Sequence, residues 1–69
     1  MSHSEKIIAK LNNTQRNRLE NFRKILKKAQ TYNEETRAKS QISCYLRGLT
    51  DANAITEPDF RTLFIYYTI

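Results

Sequence analysis

The stretch NAITEPD at residues 53–59 marks the clearest helix boundary in the sequence. Asn53 is one of the few residue types other than glycine that tolerate the left-handed conformation in which many helices end. Thr56 is a good N-cap, and the acid three residues later completes a capping box. Pro58 fits the first turn of a helix, where its missing N–H loses no hydrogen bond. The stretch therefore predicts that one helix ends just before Asn53 and that a last helix runs over residues 57–68.

The helix before this boundary is predicted from apolar residues that recur at intervals of three and four. Asn33 is its expected N-cap, and the two acids that follow favour the positive end of a helix dipole. Gly48 lies inside the helix and weakens it by about 0.5–1 kcal/mol relative to alanine. Close approach of a neighbouring backbone would explain this glycine. The apolar residues are Ala38, Ile42, Tyr45, Leu46, Leu49 and Ala52.

The N-terminal third of the chain carries a second amphipathic pattern. Ser2 and Glu5 form a capping box that predicts a helix start. Asn12 and Gln15 could form another, which would break the helix there. Because the apolar face continues in register across this point, we favour one long helix over residues 3–31, and its continuity at Asn12 and Asn13 stays open. The face comprises Ile7, Ile8, Leu11, Leu19, Phe22, Ile25, Leu26 and Ala29.

Together these patterns predict an all-α fold, a single three-helix domain of residues 1–69 with a long basic first helix followed by a helical hairpin. A chain of 69 residues has a thin margin of stability, which small proteins usually supplement with disulfides, a metal or self-association. The single cysteine, Cys44, rules out an intramolecular disulfide. One cysteine and one histidine cannot supply four zinc ligands. Self-association is the remaining expectation.

The sequence offers little material for catalysis. His3 lies in the first few residues, Cys44 has no evident base beside it, and one glycine excludes a glycine-rich phosphate loop. We therefore expect a non-enzymatic protein with no catalytic, cofactor-binding or metal site. The lone thiol, the lack of a signal peptide and the lack of an apolar run of about 20 residues predict a cytoplasmic protein with no membrane partner.

The last helix is apolar on almost all sides, and this pattern suggests a protein interface. One face would fill the core against the second helix, whereas Ile65, Tyr66 and Ile69 lie on other faces. Either the first helix folds back over that second face, or a second molecule covers it. We favour a regulatory or adaptor-type protein that forms a homo-oligomer, a dimer most simply, or binds another protein. The predicted interface comprises Phe60, Leu63, Phe64, Ile65, Tyr66, Tyr67 and Ile69.

The distribution of charge suggests an alternative. Residues 1–32 carry eight basic and two acidic side chains, a net charge of +6, whereas residues 33–69 carry −1. The stretch from Thr14 through Lys24 mixes arginines with amides that can contact base edges, and some fifteen residues here resemble an arginine-rich RNA-binding helix. Such a face binds nucleic acid or is simply solvated. The predicted contacts are Arg16, Arg18, Arg23, Lys24, Lys27 and Lys28.

A helix-turn-helix formed by the second and third helices is not expected. The third helix would present Glu57 and Asp59 to the major groove, and these acids would repel phosphate. On size alone, compact chains of this kind are frequent among phage and mobile-element proteins.

Overall fold

The structure, a computed structural model, describes residues 2–69 and is entirely helical and irregular over that range, with no strand. Four helices follow one another: α1 (His3–Ala9), α2 (Asn13–Lys28), α3 (Tyr32–Asp51) and α4 (Glu57–Thr68). The predicted all-α class and the last helix are confirmed. The count of three helices is wrong, because the predicted first helix is two helices. Met1, which the predicted domain includes, lies outside the described residues.

The break between α1 and α2 is the second capping box. The N–H of Gln15 donates to Oδ1 of Asn12 at 2.8 Å, and the N–H of Asn12 donates to Oε1 of Gln15 at 3.0 Å. These bonds satisfy two donors that a helix start leaves without partners. Leu11 in the short connection is buried, as is Ile7 on α1, and α1 packs against α4. The helix therefore turns back at Asn12 without losing its apolar face.

The start of α3 also differs from the prediction. Its N-cap is Thr31, whose Oγ1 accepts a hydrogen bond from the N–H of Glu34 at 3.1 Å. The predicted cap, Asn33, is instead an exposed residue within the first turn. α3 consequently begins two residues earlier in the chain than the sequence pattern indicated.

The boundary between α3 and α4 has the predicted form. Asn53 has a φ of 62°, in the left-handed region. The N–H of Asn53 donates to Thr50 at 3.0 Å and that of Ala54 to Leu49 at 2.9 Å, which is the pattern of a Schellman ending. Thr56 then caps α4, with its Oγ1 accepting from the N–H of Asp59 at 3.3 Å.

A single apolar core joins the four helices. α3 packs against α2 and α4, and α4 also contacts α1 and α2. The sequence left open whether the first segment would fold back over the second apolar face of α4. The structure shows α1 and α2 packed against α4, but Ile65 and Ile69 on that face remain exposed. Among residues 2–69 no polar or charged residue is buried. The core comprises Ile7, Leu11, Leu19, Ile42, Leu46, Leu49, Ile55, Leu63 and Tyr67.

Gly48 has no neighbour that requires a glycine. A Cβ added at this position would meet nothing within 4 Å, and the residue lies inside α3 without a positive φ. The predicted close approach of another backbone is therefore wrong for this chain. The glycine only raises the entropy that α3 loses on folding.

We predict that Gly48→Ala stabilises the protein by about 0.5–1 kcal/mol, because alanine has the higher helix propensity and enough space. Thermal unfolding should show a rise in Tm, roughly 4–8 °C per kcal/mol for a domain of this size. Leu46→Ala in the buried core is the opposite control and should cost about 2–5 kcal/mol. A lower Tm for Gly48→Ala would contradict the open surroundings of Gly48.

Burial raises the pKa of Tyr67 to about 12, and the negative charge of Glu20 and the neighbouring Tyr66 act in the same direction while Arg23 opposes them. The folded state therefore holds the phenolic proton more tightly than the unfolded state does. The contribution of Tyr67 to stability is complete below pH 10, the ordinary pKa, and is lost as the pH rises toward 12.

We therefore predict that the free energy of unfolding falls between pH 10 and 12, in part because Tyr67 ionises only on unfolding. Urea denaturation across this range should show a smaller decline for Tyr67→Phe. Tyr32→Phe is the matched control, since Tyr32 is 80% exposed, and should decline as the native chain does. Equal declines for the native chain and Tyr67→Phe would refute the assignment.

Candidate nucleic-acid interface

Five exposed polar side chains form a line along α2. They recur at intervals of three and four residues, which places them on one face of the helix. This face is opposite the fully buried Leu19 and contains no acidic residue. We call it the α2 stripe, and it comprises Thr14, Asn17, Asn21, Lys24 and Lys28.

A groove of about 450 Å³ runs beside the N-terminal half of this stripe. The guanidinium of Arg18 lies 5.9 Å from the centroid of the Tyr45 ring, within reach of a cation–π interaction, although the residue is exposed. Phe22 packs edge-on against the same ring, with the centroids 5.8 Å apart. Arg18 is thus supported from beneath while its donors face solvent. The groove is lined by Thr14, Asn17, Arg18, Asn21, Phe22 and Ile25.

The structure divides the six basic residues that we predicted to contact nucleic acid. Lys24 and Lys28 belong to the α2 stripe, and Lys27 is exposed at its side. Arg18 is at the groove, one quarter turn toward α3. Arg16 is half-buried and donates a hydrogen bond to the side chain of Asn13. Four of the six are therefore open to a large ligand.

Arg23 is placed differently, because it forms part of the wall of the core. Its guanidinium carbon lies 4.9 Å from the centroid of the Tyr66 ring and 5.9 Å from that of Tyr67. A guanidinium nitrogen is also 3.8 Å from a carboxylate oxygen of Glu20. The Nε atom is buried without a hydrogen-bond partner. Arg23 therefore has a structural role between α2 and α4.

The predicted contacts do not include three residues of the site, although the sequence indicates that amides in this stretch can contact base edges. Thr14, Asn17 and Asn21 carry no charge, and only basic residues were predicted as contacts. Their signal was their spacing, because Asn17 and Asn21 continue the line that Lys24 and Lys28 begin.

The predicted interface on α4 is divided by burial in the same way. Leu63 is 0% exposed and Tyr67 is 1% exposed, so both belong to the core of the single chain. Phe60 and Phe64 are half-buried and stack with their centroids 6.4 Å apart. The guanidinium of Arg47 covers Phe60 at 4.4 Å. In this fold Leu63 and Tyr67 offer no surface to a partner.

The rest of that predicted interface remains at the surface. Ile65 is 56% exposed and Ile69 is 87% exposed, and Tyr66 is half-buried beside them. These side chains line a groove of about 510 Å³ between α4 and the start of α1, together with Ser4, Arg23 and Thr62. The exposed apolar surface of α4 is therefore much smaller than the sequence pattern implied.

Other kinds of site find less support among residues 2–69. In this part of the chain no three or more His, Cys, Asp or Glu side chains are grouped so that they could hold a metal ion. No helix within it has the length and apolar character needed to cross a membrane. Cys44 is exposed on α3.

Two surfaces thus combine exposure with binding chemistry, the polar α2 stripe with its groove and the apolar groove beside α4. The first presents amides and cations, and the second presents two isoleucines. Neither a protein-family model, nor a curated protein, nor a solved structure matches this chain. The chemistry of these side chains therefore carries the functional argument.

Proposed function

We propose that this chain is a non-enzymatic, cytoplasmic protein that binds nucleic acid through the phosphate contacts of α2. The observation that carries this proposal is the α2 stripe, a fully exposed face with amides at one end, lysines at the other and no acid between them. A helix face of this composition attracts the phosphates of a polyanion, and it has no negative charge that would repel them.

The pattern of ion pairs supports the proposal. Arg23 approaches Glu20, Lys39 lies 2.9 Å from Glu35, and Arg47 lies 2.5 Å from Glu57. Among residues 2–69 no ion pair involves Lys24, Lys27 or Lys28. These three lysines therefore can neutralise phosphates without first breaking an ion pair, and this neutralisation releases the cations condensed on a nucleic acid.

We favour nucleic-acid binding over protein binding because much of α4 is buried within the chain. The sequence pattern suggested a helix whose second apolar face needed another molecule. In the structure α1 and α2 pack against α4, and the apolar surface that α4 leaves exposed is reduced to Ile65, Ile69 and part of Tyr66.

We predict that the chain binds both double-stranded and single-stranded nucleic acid at low salt, and that binding weakens steeply as salt rises. Replacing Lys24, Lys27 and Lys28 together by glutamine should weaken binding and reduce the slope of log K against log salt. The reduction should be about 0.9 for each lost contact with duplex phosphate. Fluorescence anisotropy with labelled oligonucleotides at several salt concentrations measures both quantities.

The matched control removes three positive charges from the other side of the molecule, with Lys39, Arg47 and Arg61 replaced by glutamine. It has the same net charge as the first variant, so it should keep most of the affinity and slope if the site is on α2. Circular dichroism should show that both variants remain folded. Equal losses for the two variants would indicate a nonspecific charge effect, and no binding by the native chain at low salt would refute the proposal.

Self-association through the apolar groove beside α4 is a second candidate, because Ile65 and Ile69 are strongly exposed. Two copies related by a two-fold axis would bury both isoleucines against each other, and two-fold symmetry is the commonest arrangement of soluble oligomers. A homodimer or a contact with another protein on this surface is compatible with the proposed site on α2.

For this candidate we predict that the native chain has the molar mass of a dimer in solution and that replacing Ile65 and Ile69 by aspartate yields a folded monomer. Light scattering coupled to size exclusion, under reducing conditions, measures the mass. Ile25→Asp on α2 is the control and should leave the dimer intact, since Ile25 is 52% exposed on another surface. A monomeric native chain at high concentration would exclude self-association.

A further inference from the structure

We infer that residues 17–21 of α2 read base edges in the major groove of duplex DNA, with Asn17, Arg18 and Asn21 as the reading residues. This inference rests on the proposed function and adds to it a polymer, a groove and a source of sequence preference. The phosphate contacts alone would carry no sequence information.

The three reading residues are accessible to a large ligand. Asn17, Arg18 and Asn21 are all exposed, and α1 lies against α4 and so leaves this part of α2 uncovered. The 16 residues of α2 make a rod about 24 Å long. The major groove of B-form DNA is about 12 Å wide and accepts one helix. A face opposite Leu19 can enter it without opening the core.

The side chains of these residues can pair with the edges of bases. The amide of asparagine pairs with N6 and N7 of adenine through two hydrogen bonds, and the guanidinium of arginine pairs with O6 and N7 of guanine. Thr14 and Ile25 border these polar groups in the same groove and supply methyl groups that can contact the methyl group of thymine. The set of side chains thus matches the chemical groups that base pairs present in the major groove.

The order of residues along α2 also suits a helix that reads bases. Asn17, Arg18 and Asn21 precede Lys24 and Lys28 along α2, so the reading residues are nearer the N-terminal end, from which a recognition helix contacts bases. The first turn of α2 contains no acid, unlike that of α4, which carries Glu57 and Asp59. The charge of α2 therefore suits entry by its N-terminal end.

The site on α2 suits duplex DNA better than it suits RNA. The major groove of an A-form RNA helix is too deep and narrow for side chains to read. Proteins that recognise single-stranded RNA generally stack its bases on aromatic rings or on arginine guanidinium planes. The guanidinium of Arg18 already lies over the Tyr45 ring. The only ring in this groove, Phe22, is half-buried against Tyr45. The geometry of α2 therefore favours B-form DNA.

The experiment selects binding sites for the full-length native chain from a random library of duplex DNA, at a salt concentration where binding is measurable. The expected result is an enriched motif containing adenine or guanine at fixed positions. Asn21→Ala and Asn17→Ala should each lose about tenfold or more in affinity for the selected duplex, and little for a scrambled duplex, because a good bidentate contact discriminates by that factor or more. Asn33→Ala, an exposed amide on α3, is the matched control and should lose nothing.

The possible failures are distinct. If the chain binds duplex DNA with the predicted salt dependence but no motif is enriched, base reading is overturned and phosphate binding stands. If the asparagine variants weaken selected and scrambled duplexes equally, base reading is again overturned. Preferential binding of RNA of the same sequence overturns the choice of DNA, and absence of any binding overturns both the inference and the proposed function.

Discussion

The reversal of the chain at Asn12 is the constraint on which the rest of the structure depends, and it is capped by two hydrogen bonds between Asn12 and Gln15. They end one amphipathic helix and start another, so the first two turns of the chain fold back against α4 and do not extend α2. The return of α1 buries Ile7 and Leu11 and covers much of an otherwise exposed apolar helix. The same return leaves the N-terminal half of α2 open to solvent. The capping box thus closes one surface and opens another.

The basic residues of α2 have different roles, which depend on their position around the helix. Arg23 points to the core and stabilises the contact between α2 and α4 through two tyrosine rings. Arg18 uses Tyr45 as a support, and the lysines project into solvent without an ionic partner in residues 2–69. This division agrees with the general properties of the two side chains, since guanidinium stacks on aromatic rings and ammonium is strongly hydrated. A count of charge along the sequence cannot separate these roles.

Some of this organisation was predictable from the sequence, and the reasons for the failures are physical. The end of α3 and the start of α4 were predicted correctly because Asn53, Thr56 and Pro58 act through local backbone chemistry. The sequence favours one long helix and leaves a break at Asn12 open, because a cap and a continued helix differ by about 1 kcal/mol and burial against α4 decides between them. That burial depends on contacts between distant segments. In the candidate site, four of the six predicted cations are open to a ligand. The amides of this stretch were recognised as able to contact base edges, but Asn17 and Asn21 were not singled out because an uncharged amide leaves no mark on a charge count.

The shortness of α1 has a consequence for how the molecule moves. A helix of seven residues is far below the length at which an isolated helix persists in water, so α1 is helical only while it is docked. It therefore forms the natural unit for local opening, a partial unfolding that costs less than separating α2, α3 and α4. Each such opening briefly exposes the aromatic side of α4. The folded population is thus a closed majority in exchange with a minor state whose surface is considerably more apolar.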